Sequence, residues 1–169
     1  PIIAKACGGG TIAQVESEQA NLLDMFAGID AWQVMHDHHA MRGIASRVQD
    51  DDGRARYPYN TFTIRYRRLA SETEYEKRLA AITSDRGFVL PHLTTQAYLA
   101  SDRRSVVSCA VVRTRDLYLF VHNFGIDRFR TIPNLDGSST FKAIAWSLLR
   151  ARRVPIFAHP AGNVIGGAP

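Results

Sequence analysis

A chain of 169 residues is long enough for one domain with a real core, and its 46% apolar and 22% charged composition is that of a folded globular protein. No apolar run approaches a membrane span, PIIAKACGGG has too short an apolar run for a secretory signal, and Cys7 and Cys109 are too few for a disulfide framework. The net charge of +5, carried mainly by arginine, admits a nucleic-acid partner, and a cytoplasmic protein with reduced thiols is the expectation.

Residues 1–10 end in Gly8-Gly9-Gly10 and read as a flexible lead-in. No Gly-Lys-Ser or Gly-Lys-Thr follows, so a phosphate loop is not indicated. Thr11, with Gln14 at the capping-box position, opens a helix expected to reach about Phe26. Ile12, Val15, Leu22, Leu23 and Phe26 form its apolar stripe, and Glu18 falls inside that stripe. A lone buried carboxylate is costly unless it is paired, protonated or metal-bound, so Glu18 marks a candidate site.

A strand over about 29–35 follows, with Asp30 in register with Trp32 and Val34. HDHHAMRG is the expected hairpin connection. His36, His38 and His39 lack a partner at zinc spacing and read as a solvated loop tip. A second strand, about 43–49, places Arg47 and Gln49 on one face. Asp50-Asp51-Asp52-Gly53 lacks the alternating ligands of a calcium loop and reads as a turn. A third strand, TFTIRYRR at 61–68, turns Phe62, Ile64 and Tyr66 one way and Thr61, Thr63, Arg65 and Arg67 the other. Arg68 adds to that basic cluster.

Ser71 with Glu74 fits a capping box for the helix ETEYEKRLAAI, whose apolar seam is Tyr75, Leu79 and Ile82. Pro91 assigns the next strand, about 88–99, to an edge or a bulge. VVSCAVVR is apolar enough for the buried middle of a sheet, with Cys109 as core. Thr114 to about Asn123 fits a short helix or a strand. Residues 124–139 read as loop with a turn at Asp136-Gly137. A last helix is expected from Thr140, burying Phe141, Ile144, Ala145, Leu148 and Leu149. Residues 154–169 read as a loosely held tail, and the whole chain as a single domain over 1–169.

The order is helix, three antiparallel strands, helix, further strands, which makes the fold α+β with a central mixed, largely antiparallel sheet of about five strands flanked by helices. With Glu18 on the first helix and Asp30 on a following strand, this order resembles the αβββαβ core of the PD-(D/E)XK nuclease superfamily over about residues 11–100. At the place of its tripeptide the chain reads Ala45-Ser46-Arg47 or Arg47-Val48-Gln49, where Gln49 replaces the acid and Arg47 carries the positive charge of the lysine.

The resemblance implies a restriction-endonuclease-like fold and a nuclease or nuclease-like protein acting on phosphodiester bonds. It implies magnesium, with manganese as a substitute, held by Glu18, Asp30 and Gln49. Glu18, Asp30, Arg47 and Gln49 would form the catalytic set, and Arg65, Arg67 and Arg68 would hold the backbone of a nucleic acid, DNA first. Two alternatives stay open. One is a non-catalytic nucleic-acid binder on the same fold, with Tyr57, Tyr59 and Tyr66 stacking on bases. The other is an interaction subunit of a larger complex; a homodimer is also open. Cysteine and Ser-His-Asp chemistry are less well supported: Cys109 reads as core, no GxSxG elbow occurs, and His92 has no readable partner.

Overall fold

The computed structural model describes residues 4–5, 7–13, 18, 27–36, 40–50, 60–68, 72–84, 89–134 and 136–159. Among them are nine strands: β1 (Thr11–Ala13), β2 (Ala31–Met35), β3 (Ala40–Asp50), β4 (Thr61–Arg68), β5 (Leu93–Leu99), β6 (Val106–Arg113), β7 (Arg130–Pro133), β8 (Ser139–Ala145) and β9 (Ile156–His159). Helices α1 (Glu74–Thr83), α2 (Thr114–Phe124) and α3 (Trp146–Ala151) accompany them.

The fold is α+β. A mixed, largely antiparallel sheet of six strands runs β1-β2-β3-β5-β6-β9, with β3–β5 its parallel pair. A second, antiparallel sheet runs β4-β8-β7. The hairpin of β2 and β3 forms where alternation placed it. The third expected strand, β4, does not extend that hairpin. It leaves for the second sheet, and β5 takes the place beside β3 with Arg47 opposite Gln96.

The main core lies between the two sheets and the helices. Phe62 and Ile64 of β4, Ala110 and Val112 of β6, and Leu117 and Tyr118 of α2 are all buried in it. Phe62 packs against Trp146 at 6.0 Å and Trp146 against Tyr98 at 6.1 Å, so aromatic rings join the second sheet to the first. The Tyr98 hydroxyl adds a polar tie, donating to the Thr61 carbonyl at 2.9 Å. A smaller cluster of Cys7, Ile44, Leu93 and Val111 covers the other face of the six-stranded sheet.

Several elements differ from the sequence expectation. Thr11 caps no helix, because Thr11–Ala13 is a strand paired with β2. Glu18 is helical but exposed, so its carboxylate is not buried as expected; residues 14–17 and 19–26 lie outside the described residues. Cys7 is not part of a flexible lead-in: it is fully buried, and the Gln33 side-chain amide donates to the carbonyls of Cys7 and Gly9 at 2.9 and 2.6 Å. Pro91 precedes β5, since an inner strand needs every N–H that proline lacks. The segment from Thr140 is strand up to Ala145, because antiparallel pairing with both β4 and β7 outweighs its helical spacing; the helix starts only at Trp146. Residues 156–159 of the expected tail form β9 against β6, and residues 160–169 lie outside the described residues. The Asp136-Gly137 turn is present, with Gly137 at φ +69°.

Helix α1 is capped by Thr73 and Glu76, two residues after the expected Ser71 and Glu74. The Thr73 hydroxyl accepts from the Glu76 N–H at 3.3 Å, and the Glu76 carboxylate accepts from the Thr73 N–H at 2.8 Å. Thr73→Ala removes one half of this reciprocal cap and should cost about 1 kcal/mol, read as a lower urea midpoint with unchanged slope. With Thr73 as the cap, Glu74 is the first residue of the helix, and its carboxylate is left to pair with Arg47 and Arg78.

Candidate functional site

A polar cleft of about 780 Å³ lies where β3, β4, β5 and α1 meet. Arg47 of β3, Arg65 of β4, and Lys77 and Arg78 of α1 supply its positive charge, and Asp30, Glu72 and Glu74 its negative charge. Ser46, Thr63, Thr94, Thr95 and Gln96 add hydroxyl and amide groups.

Glu74 organises the cleft. Its Oε2 accepts from the Arg47 guanidinium at 2.8 Å and from the Arg65 backbone N–H at 3.4 Å. Its Oε1 accepts from the Tyr118 hydroxyl at 2.7 Å and faces Arg78, one helical turn on, at 3.6 Å. Burial raises the pKa of this carboxyl. The opposing effects of Arg78, Arg47, the Tyr118 hydroxyl and the Arg65 amide outweigh it and hold Glu74 below the usual carboxylate range.

Arg78 is buried and further fixed by the Gly28 carbonyl at 3.3 Å and the face of Tyr118 at 5.5 Å. Gly28 has φ +62°, and a Cβ there would stand 2.8 Å from the Arg78 guanidinium, so this approach requires glycine. Arg47 and Arg65 both lie over the ring of Phe141, at 4.9 and 5.4 Å. Gln96 ties the floor to β4, its side-chain oxygen accepting from the Thr63 hydroxyl at 3.0 Å. These guanidiniums are therefore held in place before any ligand arrives.

Of the four residues expected to act together, Asp30 and Arg47 line the cleft. Asp30 accepts from the Ser46 N–H at 2.5 Å. Gln49 is exposed near the end of β3, where it accepts from Gln96 at 3.4 Å, and neither it nor Glu18 is among the residues lining the cleft. Arg65 lines the cleft, whereas Arg67 is exposed over the Tyr66 ring at 5.5 Å. The side chain of Arg68, Tyr57 and Tyr59 lie outside the described residues. Among the described residues no group of three or more His, Cys, Asp or Glu side chains is placed to hold a metal ion together. Burial, with Cys109 close by, pushes the Cys7 thiol up to about 11, which leaves it without thiolate character at neutral pH.

Sequence reasoning missed Glu74, Lys77, Arg78 and Gln96. One signal was available: reading Thr73-x-x-Glu76 as the cap leaves Glu74 and Arg78 as an i, i+4 pair beside the apolar seam. Comparison with protein-family models, with curated proteins and with solved structures gives no match.

Proposed function

We propose that this cleft binds the sugar-phosphate backbone of a nucleic acid. The observation that carries the reading is the convergence of Arg47, Arg65, Lys77 and Arg78 on one polar volume. Glu74 offsets part of that charge but fixes Arg47 and Arg78 in orientation, and guanidinium forks match phosphate oxygens in geometry. Ser46, Thr94 and Gln96 supply hydrogen bonds to sugar and phosphate groups, which position a strand without reading its sequence.

Fluorescence anisotropy with labelled single-stranded DNA, duplex DNA and RNA at rising salt tests this. Affinity should fall linearly on a log–log plot, and removing Arg65 and Lys77 together should shallow the slope by about two. Absence of binding, or an unchanged slope, rules the reading out and leaves an interaction subunit.

A second reading, metal-dependent cleavage of that backbone, is favoured by Asp30 standing in the same cleft as Arg47. Magnesium is commonly held by one or two carboxylates with waters and substrate phosphates, a set that Asp30 can begin and that Glu18 and Gln49 do not complete here. A bound ion would polarise the phosphoryl group and acidify a water. Arg47, fixed by Glu74, would face the negative charge that develops on phosphorus. Cleavage that requires magnesium or manganese, stops with chelator and is lost in Asp30→Asn supports this reading; binding without cleavage removes it.

A further inference from the structure

A second cavity, about 400 Å³, adjoins the cleft and shares Ala81 and Leu90 with it. Its apolar floor is Ile82, Leu90, Pro91 and Leu93, and its polar wall is His92 with three arginines: Arg42 of β3, and Arg113 and Arg115 at the junction of β6 and α2. Among the described residues no acidic side chain lines it. The polar cleft carries three acids against its cations; this cavity is lined by three arginines beside an apolar base.

The geometry points to a binding site for a small organic anion with an apolar body and a phosphate or carboxylate head. Volume and lining both fit, since small-molecule pockets are mostly apolar with a few fixed polar groups. His92 is such a group. Its backbone N–H donates to the Gly43 carbonyl at 2.8 Å, its own carbonyl accepts from the Thr114 N–H at 2.9 Å, and its Nδ1 accepts from the Gly43 N–H at 3.3 Å. With Nδ1 an acceptor, Nε2 carries the proton and donates. Arg113 and Arg115 are exposed at the mouth, where they can close on an anionic head while the apolar body meets Ile82 and Leu93.

The test uses phenyl phosphate, inorganic phosphate and phenol as probes, with calorimetry for affinity and backbone NMR shifts for location. Phenyl phosphate should bind at least about tenfold tighter than either half alone, because both the charge and the apolar contact contribute. Arg113→Gln combined with Arg115→Gln, both at exposed positions, should weaken it by about tenfold or more. Shifts should centre on Ala81, His92 and Arg115. Equal affinities for phenyl phosphate and inorganic phosphate, indifference to the two substitutions, or shifts centred on Thr94 and Gln96 would each overturn the proposal. Since the nucleic-acid reading is tested at Arg65 and Lys77, either can fail alone.

Discussion

Glu74→Ala will lower the stability of the fold by about 3 kcal/mol, the lower end of the range for breaking a buried ion pair. The cost arises at Arg78 and Tyr118. Arg78 is buried, and its charge loses its nearest counter-charge. Tyr118 is fully buried, and its hydroxyl loses its acceptor. Arg47 contributes less, because its side chain is 26% exposed and can turn to water. For a domain of this size the thermal midpoint should drop by roughly 6–12 °C.

The same carboxylate sets a pH dependence. Its folded pKa lies below the value of 4.5 taken for a free glutamate, so the unfolded chain takes up the proton first on acidification. The stabilisation is complete above about pH 4.5 and drains away as pH falls through the depressed folded value. Urea midpoints taken from pH 7 down to pH 3 should therefore fall less steeply in Glu74→Gln than in the parent chain. Parallel curves would mean that the Arg47–Glu74–Arg78 group contributes no linked protonation.

Phe62→Ala is the second large effect, expected at about 3–5 kcal/mol. Phe62 is 1% exposed and touches Trp146, whose other neighbour, Tyr98, belongs to the six-stranded sheet. The cavity would open where the two sheets lean on each other, so both should loosen together. Chemical denaturation gives the magnitude, and near-ultraviolet circular dichroism of Trp146 reports the loosening. A loss under about 1 kcal/mol would show that the sheets close over the gap, since the cost of such a deletion depends on how far its surroundings collapse.

How much of this was legible varies with the range of the interaction. The β2–β3 hairpin was readable because its signal is local: alternating side chains on either side of a short connection. Helix α1 was readable for the same reason, although its cap was misplaced by two residues, and that error hid Glu74 as a cap partner. β8 was hidden because Phe141, Ile144, Leu148 and Leu149 satisfy helical spacing as well. Its true strand face includes Lys142, a buried lysine that donates to Thr131 at 3.0 Å and lies 4.8 Å from the Tyr66 ring centre. A lysine facing inward disguises the alternation. Nothing in TFTIRYRR states that its partner lies beyond Pro133, so β4 could not be moved to the second sheet by inspection. The candidate site was half visible. Asp30, Arg47 and Arg65 were found from strand faces, while the α1 side chains that complete the cleft were not.

The order in which strands neighbour one another has a kinetic consequence. Neither sheet is finished by adjacent segments: β3 waits for β5, β4 waits for β8, and β6 waits for β9. Each pairing closes a long loop before any contact repays the lost chain entropy. Refolding should therefore be slow compared with helical proteins of equal size, in the millisecond-to-second range typical of topologies rich in distant contacts. A nascent chain shorter than Ser139 would present the backbone edge of β4 without its pairing strand, and would rely on later residues to satisfy it.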